Sequence, residues 1–417
     1  MKNAKRSNAT ASKSSLIHRL VAENISQFVN TLVEPVVIDG QIIQRYTNEF
    51  WTAKQRQASS LQEISYRACF KPQLPNFFIT RFTSEGDTVY DPFNGRGTTT
   101  LEAALLGRNI IANDINPLSK IFTEGRLSIP NENDLSERLT SIPIAASAKA
   151  NMDLSMFYHK HTLAEIISLR NYLIERKDSR KEDPLDKWIR MVATNRLTGH
   201  SPGFFSVYTL PPNQAVSAQS QKLINKKLRQ WPEYRDVKKI IFKKTQSLLR
   251  NVTTEQKINL NGATKNAKFF CSDAGKTKYI PTNTIQLTVT SPPFLDIVNY
   301  KDDNWLRNWF NNIQTEDVTS NITMSKTVLD WSEVMGNVFA ELFRITKNGG
   351  RVAFEVGELR NGKIKLDEAV VPLGIRVGFH CEGIIINAQT FTKTSNIWGI
   401  KNNQRGTNTN RIVLFRK

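Results

Sequence analysis

The feature that most constrains the fold is a glycine-containing turn between a strand and a helix, with a second strand close behind. Residues 87–90 have the pattern of a buried strand, residues 98–106 have helical spacing, and residues 109–112 are strand-like again. Two strands joined through a helix run parallel, because an antiparallel pair needs only a tight turn. The chain is therefore expected to build a parallel sheet with helices on its faces.

The alternation of strands and helices stops after this unit and resumes much later. Residues 126–265 contain few strand patterns and several charged helical segments, among them 163–175 and 221–249. Strand patterns return at 268–271, 285–290, 351–356, 383–388 and 411–415, with a helix at 331–344. We expect the last two strands to form an antiparallel ribbon at one sheet edge. The fold class is thus α/β, a doubly wound, mostly parallel sheet interrupted after its second strand by a mainly helical insert.

This pattern divides the 417 residues into four stretches. Residues 1–15 are rich in Ser, Asn and Lys and are expected to be a mobile basic tail. Residues 16–125 form the first part of the sheet domain, residues 126–265 the helical insert, and residues 266–417 the second part of the sheet domain.

The charge of the chain indicates its partner. There are 57 Lys and Arg residues against 38 Asp and Glu residues, a formal net charge of +19, which favours binding to a polyanion. An anionic membrane is the weaker alternative, because no run of about 18 apolar residues is present and the amino terminus does not resemble a secretory signal. We therefore expect a cytoplasmic protein that binds nucleic acid.

Much of the excess charge lies in the insert. Residues 191–250 contain eleven Lys and Arg residues and two acidic residues. The aromatic residues Phe204, Phe205 and Tyr208, with Asn213, adjoin this region and suggest base stacking and hydrogen bonding. The residues predicted to contact nucleic acid are Arg196, Lys222, Lys226, Lys227, Arg229, Lys238 and Lys239.

The glycine turn has the features of a nucleotide-binding turn. Residues 91–99 read Asp-Pro-Phe-Asn-Gly-Arg-Gly-Thr-Thr, in which Gly95 and Gly97 permit close backbone approach to a ligand at the start of a helix. The dinucleotide pattern is incomplete, since Thr100 stands where its third glycine belongs, and the phosphate-loop pattern is absent. Asp114, just past the second strand, is placed to accept both hydroxyls of a ribose, and Asp273 follows the next strand.

A second motif follows the strand at 285–290. Residues 291–294 read Ser-Pro-Pro-Phe, and two successive prolines cannot continue a central strand because neither has an N–H and both fix φ. The chain must leave the sheet here in a rigid extended turn. Open α/β sheets bind their substrates at the carboxyl ends of strands, so this turn is a candidate catalytic segment.

Together these segments resemble the amino-methylating DNA methyltransferases. Residues 91–99 are similar to that family's cofactor motif, and residues 291–294 are similar to its catalytic motif in the form typical of the cytosine-N4 branch. Phe70-Lys71-Pro72 resembles the segment that packs on the methionine part of S-adenosylmethionine, and residues 347–351 resemble a helix-to-strand turn of the family. One residue departs from the pattern, because Arg96 stands where the family often has a small side chain.

The resemblance implies a Rossmann-like methyltransferase fold, S-adenosylmethionine as cofactor, and methyl transfer to the N4 amino group of a cytosine that is rotated out of double-stranded DNA. It implies neither a metal nor a covalent enzyme intermediate, and it suggests a separately acting restriction endonuclease as a possible companion. The implied catalytic residues are Ser291, Pro292, Pro293 and Phe294. The implied cofactor-binding residues are Phe70, Pro72, Asp91, Phe93, Gly95, Gly97, Thr98, Asp114, Ile115, Asp273 and Ala274.

Two alternatives stay open at this point. The same fold and cofactor suit an adenine N6 amino group in DNA or a base amino group in RNA, because Ser291 is a single-residue discriminator. A catalytically silent nucleic-acid-binding protein would need a broken cofactor turn or proline turn, and both motifs are intact in the sequence.

Overall fold

The structure is a computed structural model that describes residues 30–52, 58–66, 69–209, 215–293, 300–314, 327–359, 364–388 and 409–417. Its strands are β1 Leu32–Ile38, β2 Gln41–Asn48, β3 Thr88–Asp91, β4 Asn109–Asn113, β5 Lys268–Phe270, β6 Ile285–Thr290, β7 Thr346–Val356, β8 Glu358–Leu359, β9 Ile364–Lys365, β10 His380–Ala388 and β11 Thr409–Arg416. The described helices are α1 Gln73–Phe82, α2 Thr98–Leu105, α3 Leu118–Glu124, α4 Glu132–Ser141, α5 Lys160–Asp178, α6 Pro184–Arg196, α7 Ala218–Leu228, α8 Val237–Leu249, α9 Thr254–Asn266, α10 Tyr300–Phe310, α11 Val328–Ile345 and α12 Leu366–Arg376, with a short 3-10 helix at Ser60–Gln62.

The described strands form one large sheet in the order β1-β2-β10-β11-β7-β6-β3-β4-β5, with β8 and β9 as a separate small ribbon. Strands β5, β4, β3, β6 and β7 run parallel to one another. Strand β11 runs antiparallel to both β7 and β10, and β2 lies parallel to β10. The sheet is therefore mostly parallel, as predicted.

Both faces of this sheet are covered, because successive strand residues point to opposite sides. On β3, Val89 joins a core with helices α1 and α2, whereas Tyr90 joins a second core with α11 and α12. On β11, Leu414 belongs to the first core and Phe415 to the second. This arrangement confirms the doubly wound α/β fold.

Between β4 and β5 the described residues form helices α3 to α9 and irregular segments, with one isolated bridge between Gly199 and Tyr208. These helices share the first core with the sheet: the fully buried Trp188 of α6 and Ile241 of α8 lie in the same apolar cluster as Val89 and Leu287. The α6 helix begins with a capping box between Asp183 and Asp186. Among the described residues, none of the helices combines the length and apolarity needed to cross a membrane.

Three details of the predicted fold are wrong. The ribbon of β10 and β11 is not at a sheet edge, because the β1–β2 hairpin continues the sheet beyond β10. Because β1 and β2 precede β3 and β4 in the chain, the mainly helical stretch follows the fourth strand and not the second. The segment 347–351 is not a separate turn, since it lies within β7 as a bulge, where the pairing register with β6 shifts between Ile285 and Leu287.

The predicted helical segment 221–249 is also interrupted. Helix α7 ends at Leu228 because Arg229 adopts the left-handed conformation, with φ of 50°, and Gln230 donates its N–H to Asn225 O. Pro232 follows in the connecting loop. A new helix, α8, starts after Asp236, whose side chain accepts the N–H of Lys239.

Candidate functional site

The two predicted motifs lie side by side at one edge of the sheet. The cofactor turn follows β3, the proline turn follows β6, and these strands are parallel neighbours. Asp91, the last residue of β3, accepts a 2.6 Å hydrogen bond from the hydroxyl of Thr290, the last residue of β6. This bond joins the two motifs directly, so that a ligand on one turn lies beside a ligand on the other.

Asp91 is almost completely buried, with 1% of its surface exposed. Burial raises the pKa of its carboxyl to about 7, against the lowering effect of hydrogen bonds from Thr290, from the Phe93 N–H and from Thr99. A carboxyl in this environment is stabilised in its charged form by any cationic group that binds nearby.

A buried asparagine holds the cofactor turn in shape. The Asn94 amide donates to Ser119 Oγ at 2.7 Å and to Thr123 Oγ1 at 2.8 Å, and its carbonyl oxygen accepts the Thr100 hydroxyl at 2.6 Å. Its N–H donates to Asn113 O at the end of β4. The turn is therefore fixed before any ligand binds, which lowers the entropic cost of binding.

The two glycines of the turn have different surroundings. Both have positive φ, 52° at Gly95 and 78° at Gly97. A Cβ added to Gly95 would come no closer than 3.8 Å to another atom, the Cε1 of Tyr66. A Cβ added to Gly97 would collide with the Thr123 side chain at 2.2 Å. A Cβ at Gly95 would thus make only ordinary van der Waals contacts, whereas Gly97 packs against helix α3.

Asp114 lies beside this turn. Its Oδ2 accepts the Gly95 N–H at 2.7 Å and its Oδ1 accepts the Asn116 N–H at 2.9 Å. Each carboxylate oxygen accepts more than one hydrogen bond, so capacity remains on both for a ligand. Burial raises the pKa of Asp114 to about 6. The predicted ribose acceptor therefore also shapes the glycine turn.

Arg96 has a structural role that its sequence position did not reveal. Its guanidinium points inward, donates to Ile64 O at 2.7 Å and Phe70 O at 3.5 Å, and also contacts the Thr98 hydroxyl. These bonds attach the segment that carries Phe70 and Pro72 to the cofactor turn. Arg96, which stands where the family often has a small residue, thus connects two predicted parts of the cofactor site.

The acidic residue after β5 is less involved. Asp273 is exposed, and its Oδ1 accepts the Gly275 N–H at 2.8 Å, as expected of a turn. Asn113 ties this loop to the site, because its side chain donates to Ser272 O at 2.9 Å and to Pro92 O at 3.3 Å. Asp273 and the buried Ala274 therefore lie at the same sheet edge as Ile115 and the cofactor turn.

The proline turn contains a polar pair that the sequence did not indicate. The Ser291 side chain is hydrogen-bonded to Glu355 on the adjacent strand β7, and Asn410 donates to Glu355 Oε1 at 3.0 Å. Glu355 is buried, which raises the pKa of its carboxyl. Pro293 O accepts the indole N–H of Trp331 at 3.1 Å. Phe294, predicted to stack on the target base, lies outside the described residues.

The predicted nucleic-acid contacts fall into two groups. Arg196 is buried with its guanidinium 3.8 Å from the Phe204 ring centroid, and Lys238 donates to Ile142 O at 2.8 Å, so both stabilise the insert itself. Lys222 is exposed and pairs with Asp153 at 3.5 Å. The remaining predicted residues, Lys226, Lys227, Arg229 and Lys239, are exposed.

Two of the three aromatic residues suggested for stacking are buried, whereas the third, Tyr208, is partly exposed. Phe204 and Phe205 are buried, with 5% and 1% of their surfaces exposed, and Asn213 lies outside the described residues. Among the described residues, no group of three or more His, Cys, Asp or Glu side chains is arranged to hold a metal ion.

Comparison with known proteins agrees with the cofactor turn. Residues 13–121 match the profile of the N6/N4 methyltransferases, described as DNA methylase. The chain is 47% identical over 62 residues to the type II methyltransferase M.BsoBI of Geobacillus stearothermophilus and 39% identical over 62 residues to M.MjaII of Methanocaldococcus jannaschii. Each alignment covers 15% of this chain and 12% of the relative.

The matched segment is therefore similar to the amino-methylating DNA methyltransferases, in agreement with the resemblance predicted from the sequence motifs. The alignments span only 12% of the length of these relatives. Among solved structures, TrmN from Thermus thermophilus aligns with 86% of this chain and 51% of its own, at 12% identity and a TM-score of 0.30. An alignment at this level carries no information on substrate.

Proposed function

We propose that this protein transfers a methyl group from S-adenosylmethionine to the exocyclic amino group of a base in double-stranded DNA, and that the base is cytosine, methylated at N4. The observation that carries the proposal is the hydrogen bond between Asp91 and Thr290, which places the cofactor turn and the proline turn at one sheet edge. The matched DNA methylase segment supports the same reaction class.

The residues around the cofactor turn fit the proposed cofactor. Gly95 has no Cβ where the ligand would approach the backbone, Asp114 retains acceptor capacity for ribose hydroxyls, and the buried Asp91 carboxyl suits a nearby cationic amino group. When bound, S-adenosylmethionine would supply a sulfonium-bound methyl group: the amino nitrogen gains the methyl group and releases one proton to water, and the sulfur keeps the bonding electron pair as a neutral thioether.

The proline turn prepares the amino group. The lone pair of a base amino group is delocalised into the ring, so the nitrogen must be made pyramidal and aligned with the methyl group. The Ser291 hydroxyl donates a hydrogen bond to Glu355, so its oxygen lone pairs are free to accept a hydrogen bond from the amino group. Pro292 and Pro293 fix the neighbouring carbonyls, and positioning then supplies much of the rate enhancement.

The insert supplies the DNA contacts in this proposal. The exposed cations Lys226, Lys227, Arg229 and Lys239 bind phosphates. Phe294, directly after the prolines, stacks on the base that leaves the duplex. A companion restriction endonuclease acting separately is compatible with this proposal, since the curated relatives are type II methyltransferases.

Transfer of a labelled methyl group tests the proposal. Purified protein is incubated with methyl-labelled S-adenosylmethionine and duplex DNA, single-stranded DNA or RNA, and label in the nucleic acid is counted. We expect transfer to duplex DNA, a loss of at least about tenfold in Ser291→Ala because an acceptor is removed, and normal transfer in Leu329→Ala, a change at an exposed residue of α11. No transfer to any of the three substrates would refute the proposal.

A further inference from the structure

The loop between α7 and α8 presents an aromatic residue to solvent. This loop, residues 229–236, is called the Trp231 loop below. Trp231 has 72% of its surface exposed, and the adjoining Tyr234 and Leu228 have 53% and 46% exposed. Clusters of large exposed apolar side chains usually mark a binding surface, because exposing them to water is unfavourable.

The Trp231 loop is held firmly at both ends. On one side, the Gln230 side chain donates to Tyr208 O at 2.9 Å and to Asn225 Oδ1 at 2.9 Å. On the other side, Arg235 donates to Phe204 O at 2.8 Å, and its N–H donates to the Thr162 hydroxyl at 2.7 Å. Trp231 is therefore displayed on a fixed backbone, so little loop entropy is lost when a partner binds.

Exposed cations lie next to Trp231 in the chain. Lys226, Lys227 and Arg229 are exposed, and none of the ion pairs between described residues includes them. Glu233 is the acidic residue closest to Trp231 in the sequence. An aromatic side chain among unpaired cations suits nucleic acid, whose bases stack on the ring while its phosphates neutralise the charges.

Hydrogen bonds connect this loop to the site through the segment 195–209. Asn195 donates to Ser65 O at 3.0 Å, next to Tyr66, which is the residue nearest to a Cβ built on Gly95. In the same segment, Tyr208 O accepts a hydrogen bond from the Gln230 side chain. The Trp231 loop thus rests on a segment whose other end contacts the wall of the cofactor site.

We propose that Trp231 stacks on a base of duplex DNA where the helix opens, while Lys226, Lys227 and Arg229 bind the flanking phosphates. The inference rests on the proposed DNA methyltransferase function and assigns one contact to it. Opening a duplex exposes the faces of bases and loses the free energy of their stacking. An aromatic side chain that covers an exposed face recovers part of this free energy. Trp231 then contributes to DNA affinity without neutralising a phosphate.

This separation of roles gives the test. Affinity of the full chain for a fluorescein-labelled mixed-sequence DNA duplex is measured by anisotropy over a range of KCl concentrations. We expect Trp231→Ala to weaken binding by roughly 5- to 150-fold at every salt concentration, with the slope of log affinity against log salt unchanged. Trp231→Phe should retain most of the affinity because it keeps a ring. Leu329→Ala, equally exposed at 70%, should bind as the wild type does.

A double variant, Lys226→Ala with Lys227→Ala, provides the contrast, since it should reduce the slope by about 0.9 per lost phosphate contact. Wild-type affinity in Trp231→Ala, in a protein that still methylates DNA, would overturn the inference and leave the proposed function standing. A changed slope of log affinity against log salt in Trp231→Ala would overturn the assignment of a stacking contact to Trp231. Tighter binding of the wild type to RNA, or no binding and no methylation of DNA, would overturn both proposals.

Discussion

Replacing Gly97 by alanine tests whether this glycine serves the ligand or the fold. The added Cβ would lie 2.2 Å from Thr123 Oγ1. The alanine backbone would also have to adopt the left-handed φ of 78°. Overpacking costs about 1–3 kcal/mol, and left-handed backbone costs about 1–2 kcal/mol in a residue with a side chain. The expected loss in the free energy of unfolding is therefore about 2–5 kcal/mol.

Gly95→Ala is the matched control, because its Cβ meets nothing within 3.8 Å and only the backbone strain remains. For a chain of this length, 1 kcal/mol corresponds to about 1 °C in Tm. Gly97→Ala should lower the Tm by about 2–5 °C and Gly95→Ala by about 1–2 °C.

Differential scanning calorimetry measures both Tm values, and titration calorimetry with S-adenosylmethionine measures both affinities. We expect Gly95→Ala to lose affinity with little loss of Tm, since its Cβ occupies the ligand side. Adding Thr123→Ala to Gly97→Ala should recover part of the lost Tm. A wild-type Tm in Gly97→Ala together with weakened cofactor binding would refute the assignment of Gly97 to packing.

Two further predictions concern the carboxyls of the site. Because burial raises the pKa of Asp114 to about 6, its ionised fraction grows from about one tenth to nine tenths between pH 5 and pH 7, so affinity for S-adenosylmethionine should rise up to about ninefold in calorimetric titrations. Asp114→Asn should remove the part of this dependence centred near pH 6 and leave the part centred near pH 7 that belongs to Asp91, and an unchanged pH profile in that variant would contradict the role of Asp114. Glu355→Gln should lower kcat by roughly tenfold with cofactor affinity retained, because an amide no longer fixes the direction of the Ser291 hydroxyl proton. Equal kcat in the variant and the wild type would exclude this positioning role.

Local patterns in the sequence were enough to locate most elements of the sheet domain. The predicted strand 285–290 and the strand β6 have the same limits, and the predicted helix 98–106 differs from α2 by one residue. The sequence patterns did not predict which strands pair when they are far apart in the chain. Nothing local indicates that β2 pairs with β10, more than 300 residues away in the chain, so the predicted position of the β10–β11 ribbon at an edge was wrong.

The same distinction applies to the site. Gly95, Gly97 and Asp114 were identified because a strand-to-helix turn and the next strand end are close in sequence. Glu355 was missed because its contact with Ser291 depends on the register between β6 and β7, where Thr290 lies opposite Phe354. In the insert, composition indicated a basic surface but not which residues are exposed.

The central claim is tested most directly by the identity of the methylated nucleoside. Duplex DNA methylated by the purified protein is digested to nucleosides and analysed by mass spectrometry, with Ser291→Ala as the control. We expect N4-methylcytosine from the wild type and a sharply reduced yield from the variant. N6-methyladenine alone would contradict the assignment of the base and retain the reaction class, whereas the absence of any methylated nucleoside would contradict the proposed enzyme.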